Sequence, residues 1–168
     1  MDFEKLCSIL MNLSRTEGLE VVEVREVNPG SLKIDARTRW KCRFGCNYYG
    51  KRYSCPPNVP DDYENFLKSY SRAILFRYRF KPLEYMETKK KAQKVVVAFE
   101  RSVIMDYPLA FALFPGGCDL CEKCSYETEK RCDRSHEVRP SLSSLGLRVS
   151  DLGVEFGDQT SLSLIFLE

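Results

Sequence analysis

The chain has 168 residues, 43% of them hydrophobic, with 26 basic residues against 24 acidic ones for a net charge of +2 at neutral pH. That is one domain's length with enough apolar side chains for a core of its own, and no apolar run approaches the roughly 20 residues that cross a bilayer. The charge balance argues neither for nor against a nucleic-acid partner, but its distribution is uneven: from Ala36 to Pro60 there are six basic residues and no acidic one.

Residues Asp2 to Thr16 carry helical apolar spacing at Phe3, Leu6, Cys7 and Leu10, and Glu17-Gly18 supplies a glycine able to close the helix in the left-handed conformation. The same N-terminus lacks the basic start, long apolar run and cleavage site of a secretion signal, so a cytoplasmic location is expected. Leu19–Val27 and Leu32–Ala36 alternate on either side of Asn28-Pro-Gly-Ser31, a hairpin signal. A short helix is expected after Asp61, with Tyr63, Phe66, Leu67 and Tyr70 as its apolar positions. Ala73–Phe80 is rich in β-branched and aromatic residues and reads as a strand.

Leu83 to Met105 mixes signals. Ala92, Val96, Phe99 and Val103 share one helical face while Val95-Val-Val favours a strand, and we read one long helix. Leu109–Phe114 reads as a short strand that delivers Pro115-Gly-Gly-Cys118. A helical turn over Ser141–Leu145 follows Pro140 and stops at Gly146, and Ser161–Glu168 alternates as a final strand. The expected architecture is a single α+β domain over residues 1–168, with a mixed sheet, flanking helices and two cysteine-rich loops.

Seven of the eight cysteines fall into two compact sets. The first is Cys42-x3-Cys46-x8-Cys55 followed by Pro56-Pro57; the second is Cys118-x2-Cys121-x2-Cys124-x7-Cys132. Structural disulfides are uncommon in a reducing cytosol and unnecessary at this length. A thiolate every third residue lets several sulfurs converge on one soft centre, as zinc and iron–sulfur sites require. Cys7 stands apart and reads as a small buried hydrophobe.

Spacing separates the metal chemistries. Zinc sites pair two sulfurs on one knuckle with two ligands elsewhere, whereas Cys-x2-Cys-x2-Cys supplies three corners of a cube from one loop. The second set therefore reads as a [4Fe-4S] ligand loop of Cys118, Cys121, Cys124 and Cys132. Its fourth cysteine is farther off than in bacterial ferredoxins, so zinc on Cys121, Cys124, Cys132 and His136 stays open as an alternative. Cys42, Cys46 and Cys55 supply three sulfurs for a second metal centre whose fourth position is open, shared or filled by another group.

The basic residues Arg37, Arg39, Lys41, Arg43, Lys51 and Arg52 favour the thiolate form of their cysteine neighbours. With Phe44, Tyr48, Tyr49 and Tyr53 interleaved, they also offer a face for RNA or another protein. Arg139, ahead of the Ser141 turn, reads either as an anion holder or as part of the start of that turn. A self-contained Ser-His-Asp hydrolase is disfavoured by the single histidine. A dithiol oxidoreductase on Cys121-x2-Cys124 is disfavoured by the third cysteine in the run.

The succession Cys-x3-Cys-x2-Tyr-Gly-x4-Cys-Pro-Pro from Cys42 to Pro57, then Cys118-Asp-Leu-Cys121-Glu-Lys-Cys124, Cys132 and Arg139-Pro-Ser-Leu-Ser-Ser-Leu-Gly146, resembles a prokaryotic family of predicted metal-binding proteins of unknown function. The resemblance runs from about residue 30 to the end and includes Glu100-Arg101 in the expected long helix. It implies a metal or iron–sulfur site and supplies no reaction. Two roles follow as expectations. One is a redox or cofactor-handling accessory protein serving a redox partner or client enzyme, without membrane attachment. The other is a structural zinc protein whose basic loop, residues 37–53, binds RNA or a protein.

Overall fold

The computed structural model describes residues 1–168. In chain order it contains α1 (Phe3–Glu17), β1 (Glu20–Val27), α2 (Ala36–Gly45), α3 (Tyr63–Lys68), β2 (Ala73–Arg79), α4 (Tyr85–Val103), β3 (Phe111–Leu113), α5 (Ser125–Glu129) and β4 (Thr160–Phe166). The four strands form one sheet in the order β1-β2-β4-β3. The α+β class holds, but the sheet expected to be mixed is antiparallel in all three of its ladders. The parallel pairing is confined to an isolated bridge between Phe114 and Ser141.

The sheet is covered on both faces, which explains why β2 reads as a nearly unbroken apolar run rather than a clean alternation. Ile74, Phe76 and Tyr78 join Leu6 and Leu10 of α1 and Ala92, Val96 and Phe99 of α4 in one core. Ala73 and Leu75 join Val59, Leu67, Leu142, Leu145 and Leu164 in the other. α1 begins at Asp2, whose side chain accepts from the Lys5 amide, and ends at Gly18 in the left-handed conformation.

The expected hairpin does not form. β1 pairs instead with β2, in a register that sets Glu20 opposite Arg79 and Val27 opposite Ala73. Charge favours this partner: Arg79 Nε lies 3.0 Å from Glu20, and Arg77 Nε lies 3.4 Å from Glu23. The segment after Asn28 makes a short turn at Pro29–Ser31. Asp35 then starts α2, its carboxylate accepting from the Arg37 amide at 3.0 Å, a strong helix-initiating arrangement. The local alternation of Leu32 and Ile34 serves a different purpose, packing both against the second core.

α4 is the long helix expected, and it carries more than apolar contacts. Lys89, Gln93 and Glu100 are buried along it together with Ala92, Val96 and Phe99. These three polar side chains hold β3 and the chain that follows it. Gln93 Nε2 donates to the Gly117 carbonyl and its Oε1 accepts from the Asp119 amide, both at 2.9 Å. Glu100 accepts from the Ala112 amide and, at 2.8 Å, from Arg139 Nε. The turn after Pro140 is Leu142–Leu145, capped by Ser141 and closed by Gly146 at φ 77°. A β-carbon on Gly146 would lie 2.8 Å from Ile34, so glycine is required there for the approach as well as for the turn.

Candidate metal centre

The two cysteine sets line two cavities. Cys118, Cys121, Cys124 and Cys132 surround one, with Arg52, Arg134, Tyr53, Leu120 and Val138 completing its wall. Cys42, Cys46 and Cys55 surround a larger one of about 300 Å³, together with Thr38, Lys41, Ser141 and Ser143. Cys42 sits in the last turn of α2, Cys46 caps that helix, and Cys55 precedes the cis Pro56-Pro57 peptide. Thus the first set is carried by a helix end and a turn, where a cysteine-rich loop was expected. No group of three or more histidine, cysteine, aspartate or glutamate side chains closes tightly enough to hold a single ion.

The cavities share a wall. Gly116 and Gly117 line the three-cysteine cavity, and Cys118, the next residue, lines the other. Across this wall Ser54 Oγ accepts from the Cys118 amide at 2.8 Å and lies 3.4 Å from Cys55 Sγ. One buried serine therefore touches both sets.

Tyr48 packs against the same wall. A β-carbon on Gly117 would fall 2.0 Å from its ring, so no larger residue fits. The Tyr48 hydroxyl donates to Asp119 Oδ1 at 2.7 Å, Arg52 and Lys89 lie over the ring at 4.5 and 4.8 Å, and Lys89 Nζ pairs with Asp119 Oδ2 at 2.5 Å. Burial first, then the bond to Asp119, pushes the Tyr48 hydroxyl well above the usual tyrosine range. It stays a proton donor.

The loop that carries the second set is clamped from several sides. Arg52 donates from Nε to the Cys118 carbonyl at 3.1 Å and from Nη1 to Glu127 at 2.7 Å. Tyr126 donates to Asn58 at 2.7 Å, tying α5 to the segment after Cys55. Arg134 donates to the Leu120 carbonyl at 3.1 Å and is held by Glu137. Each clamp joins one cysteine segment to another part of the chain.

The family model described as "Predicted metal-binding protein (DUF2284)" matches residues 25–162. The chain belongs to this family. No curated protein and no solved structure matches it.

Membership in a predicted metal-binding family gives the crowding of the thiols a physical reading. Burial pushes Cys118 up to about 12, with Cys121 and Cys132 adding to the rise against the Leu120 backbone bond. Burial likewise pushes Cys55 up to about 11, opposed by Ser54 and reinforced by Cys46 and Cys42. Cys42 and Cys132 are raised for the same first reason. Without a cation these groups hold their protons; a metal both displaces the protons and relieves the repulsion.

His136 is 70% exposed at its side chain, 3.9 Å from Glu137, and is not among the residues around Cys121, Cys124 and Cys132. Cys118 lines that cavity, whereas a zinc site built with His136 would leave it over. Cys7 lies on α1 and lines neither cavity. Arg139 has both carboxylate oxygens of Glu100 as acceptors, which leaves the reading of it as part of the turn's start.

The basic stretch divides in two. Arg37 pairs with Asp35, Arg39 with Asp61 and Arg52 with Glu127, while Lys41 lines the three-cysteine cavity. Tyr48 is engaged internally, whereas Tyr53 is exposed and packs against Tyr126. Sequence reasoning passed over Trp40, Lys89, Gln93 and Ser54. A usable signal existed for Lys89 and Gln93: they stand four apart on the helical stripe of Ala92 and Val96, where polar residues need a reason. Ser54 carried none beyond being next to Cys55.

Proposed function

We propose that this is an iron–sulfur protein acting as a redox or cofactor-handling accessory to a client enzyme. In this reading Cys118, Cys121, Cys124 and Cys132 hold a [4Fe-4S] cluster, and Cys42, Cys46 and Cys55 hold a second one with its fourth position open. The observation that carries it is the cavity walled by all four cysteines of the second set. All four cysteines face one small space, of about 20 Å³, as the ligands of a single centre must. The rest of the wall suits it too: Leu120 and Val138 keep water out, and the guanidiniums of Arg52 and Arg134 favour an anionic centre. When bound, a [4Fe-4S] cluster supplies one-electron redox chemistry.

The chain's own residues would set the properties of that centre. To Cys55 as a bound thiolate Ser54 would donate, and hydrogen bonds to ligand sulfur are among the levers that tune cluster potential. Around the three-cysteine cavity, Lys41, Ser141 and Ser143 are polar wall groups, and Thr38 Oγ1 is buried without a hydrogen-bond partner. Such a wall suits a small polar ligand better than an apolar one.

Iron, zinc and acid-labile sulfide per chain, measured on protein purified without oxygen, test this reading together with the visible spectrum before and after dithionite. Iron with matching sulfide and an absorption that bleaches on reduction is the expected result; zinc without sulfide overturns it. Cys121→Ser should lower iron and sulfide by the share of the second set. If metal content and folding are unchanged in this variant, Cys121 is not a ligand.

A further inference from the structure

We propose that the outer face of α2 is a binding site for a nucleoside phosphate, with the base stacked on Trp40 and Phe44 and the phosphate held by Arg43 and Arg39. α2 has no buried residue, because it is a partition between two cavities. Thr38, Lys41 and Cys42 turn to the sulfur side. Arg39, Trp40, Arg43 and Phe44 turn to the other side, where Pro56 and Pro57 close a cavity of about 470 Å³. That volume lies in the ordinary range of small-molecule sites, roughly 300–1,000 Å³.

The lining has two chemistries at once. Trp40 and Phe44 are 68% and 72% exposed, and they stand one helical turn apart with ring centroids 5.8 Å apart and planes 26° from parallel. The two rings stack on each other and leave an apolar aromatic face, the platform of this site, toward solvent. Arg43 lies over Phe44 and Tyr49 and donates to the Tyr49 hydroxyl at 2.7 Å, but it has no carboxylate partner. Arg39 lies over Tyr63 at 4.7 Å, and its one carboxylate, Asp61, lines the same cavity with a side chain 95% exposed, a pair weakened by solvent.

An inorganic anion would use the arginines and leave the platform idle, and an uncharged ring would do the reverse. A nucleoside phosphate uses both, since every base offers a face for stacking and a guanidinium fork matches phosphate oxygens. The ligand could come as a free nucleotide or as part of a single strand. The site does not depend on which metal the cysteines hold.

Trp40 is the only tryptophan, so its emission reports on this site alone. AMP titrated into the full-length, metal-loaded protein should change that emission and give a calorimetric isotherm. Adenosine and ribose 5-phosphate, each lacking one half, should bind about tenfold more weakly or worse. Trp40→Ala and Arg43→Ala should each weaken AMP at least about fivefold, the low end of the worth of one stacked base, at unchanged melting temperature and metal content. Trp40→Phe should retain binding, read by calorimetry. A labelled oligoadenylate separates the sources. Affinity above that of AMP that falls steeply with salt indicates a single strand, and no gain with length indicates the free nucleotide. Absence of binding by both AMP and the oligoadenylate, or binding that Trp40→Ala and Arg43→Ala leave intact, overturns the proposal.

Discussion

Lys89 brings a positive charge into the interior of the protein at the point where the cysteine segments meet. It is buried, paired with Asp119 and set over the Tyr48 ring. Asp119 is in turn fixed by Tyr48 through its side chain and by Gln93 through its amide. Such a pair is not strong evidence of stability in itself, because desolvating two charges offsets much of their attraction, yet removing one partner strands the other. Lys89→Met should therefore destabilise the protein by about 3–5 kcal/mol. Lys89→Met combined with Asp119→Asn should recover a large part of that loss. Chemical unfolding of the two variants beside the native protein checks this. Equal losses in the single and double variants would mean that the charge pair is not the source of the effect.

At the scale of elements, the turn at Ser135–Glu137 and α4 act as a clasp on the second cysteine loop. Glu137 accepts from Arg101 of α4 at 3.1 Å and from Arg134, which holds the Leu120 carbonyl. The bond from Arg134, chiefly, with Arg101 adding, lowers the Glu137 carboxyl below its ordinary value of 4.5. A carboxylate with a lowered folded-state value contributes stability above its unfolded value, and that contribution is lost as pH falls through the folded one. The melting temperature of Glu137→Gln should thus lie below that of the native protein at pH 7, with the gap closing below about pH 4. A gap that persists unchanged into acid would show that the clasp is not ionic.

Legibility followed the range of the interactions at this same scale. α1, α4 and the Ser141 turn were readable because their signals are local: apolar periodicity over Ala92, Val96 and Phe99, a capping serine, a closing Gly146. The hairpin reading failed because Leu32 and Ile34 alternate like a strand although β1 is paired with β2, through Glu23–Arg77 and Glu20–Arg79, across 54 and 59 residues of sequence. The cysteine spacing grouped the seven sulfurs into the two sets that the cavities also gather. It could not reveal that Gly117 and Ser54 make one wall between them, since that depends on where α4 holds the chain after β3.

That shared wall makes the two cavities one structural unit. Gly116 and Gly117 face one set of sulfurs, Cys118 belongs to the other, Ser54 touches a member of each, and Tyr48 lies on Gly117 with no room for a β-carbon. A close-packed interior transmits such a displacement instead of absorbing it. Gly117→Ala must push either the Tyr48 ring or the Gly117 backbone aside. The first breaks the Tyr48–Asp119 bond; the second moves Cys118 relative to Ser54 and Cys55. The substitution should therefore lower metal bound by both sets, although residue 117 supplies no ligating atom. Cys121→Ser and Cys55→Ser are the comparisons, each expected to lower chiefly its own set's share. Metal per chain and thermal melting of the three variants provide the test. Native metal content in Gly117→Ala would mean that the wall yields freely and that the two centres are built independently.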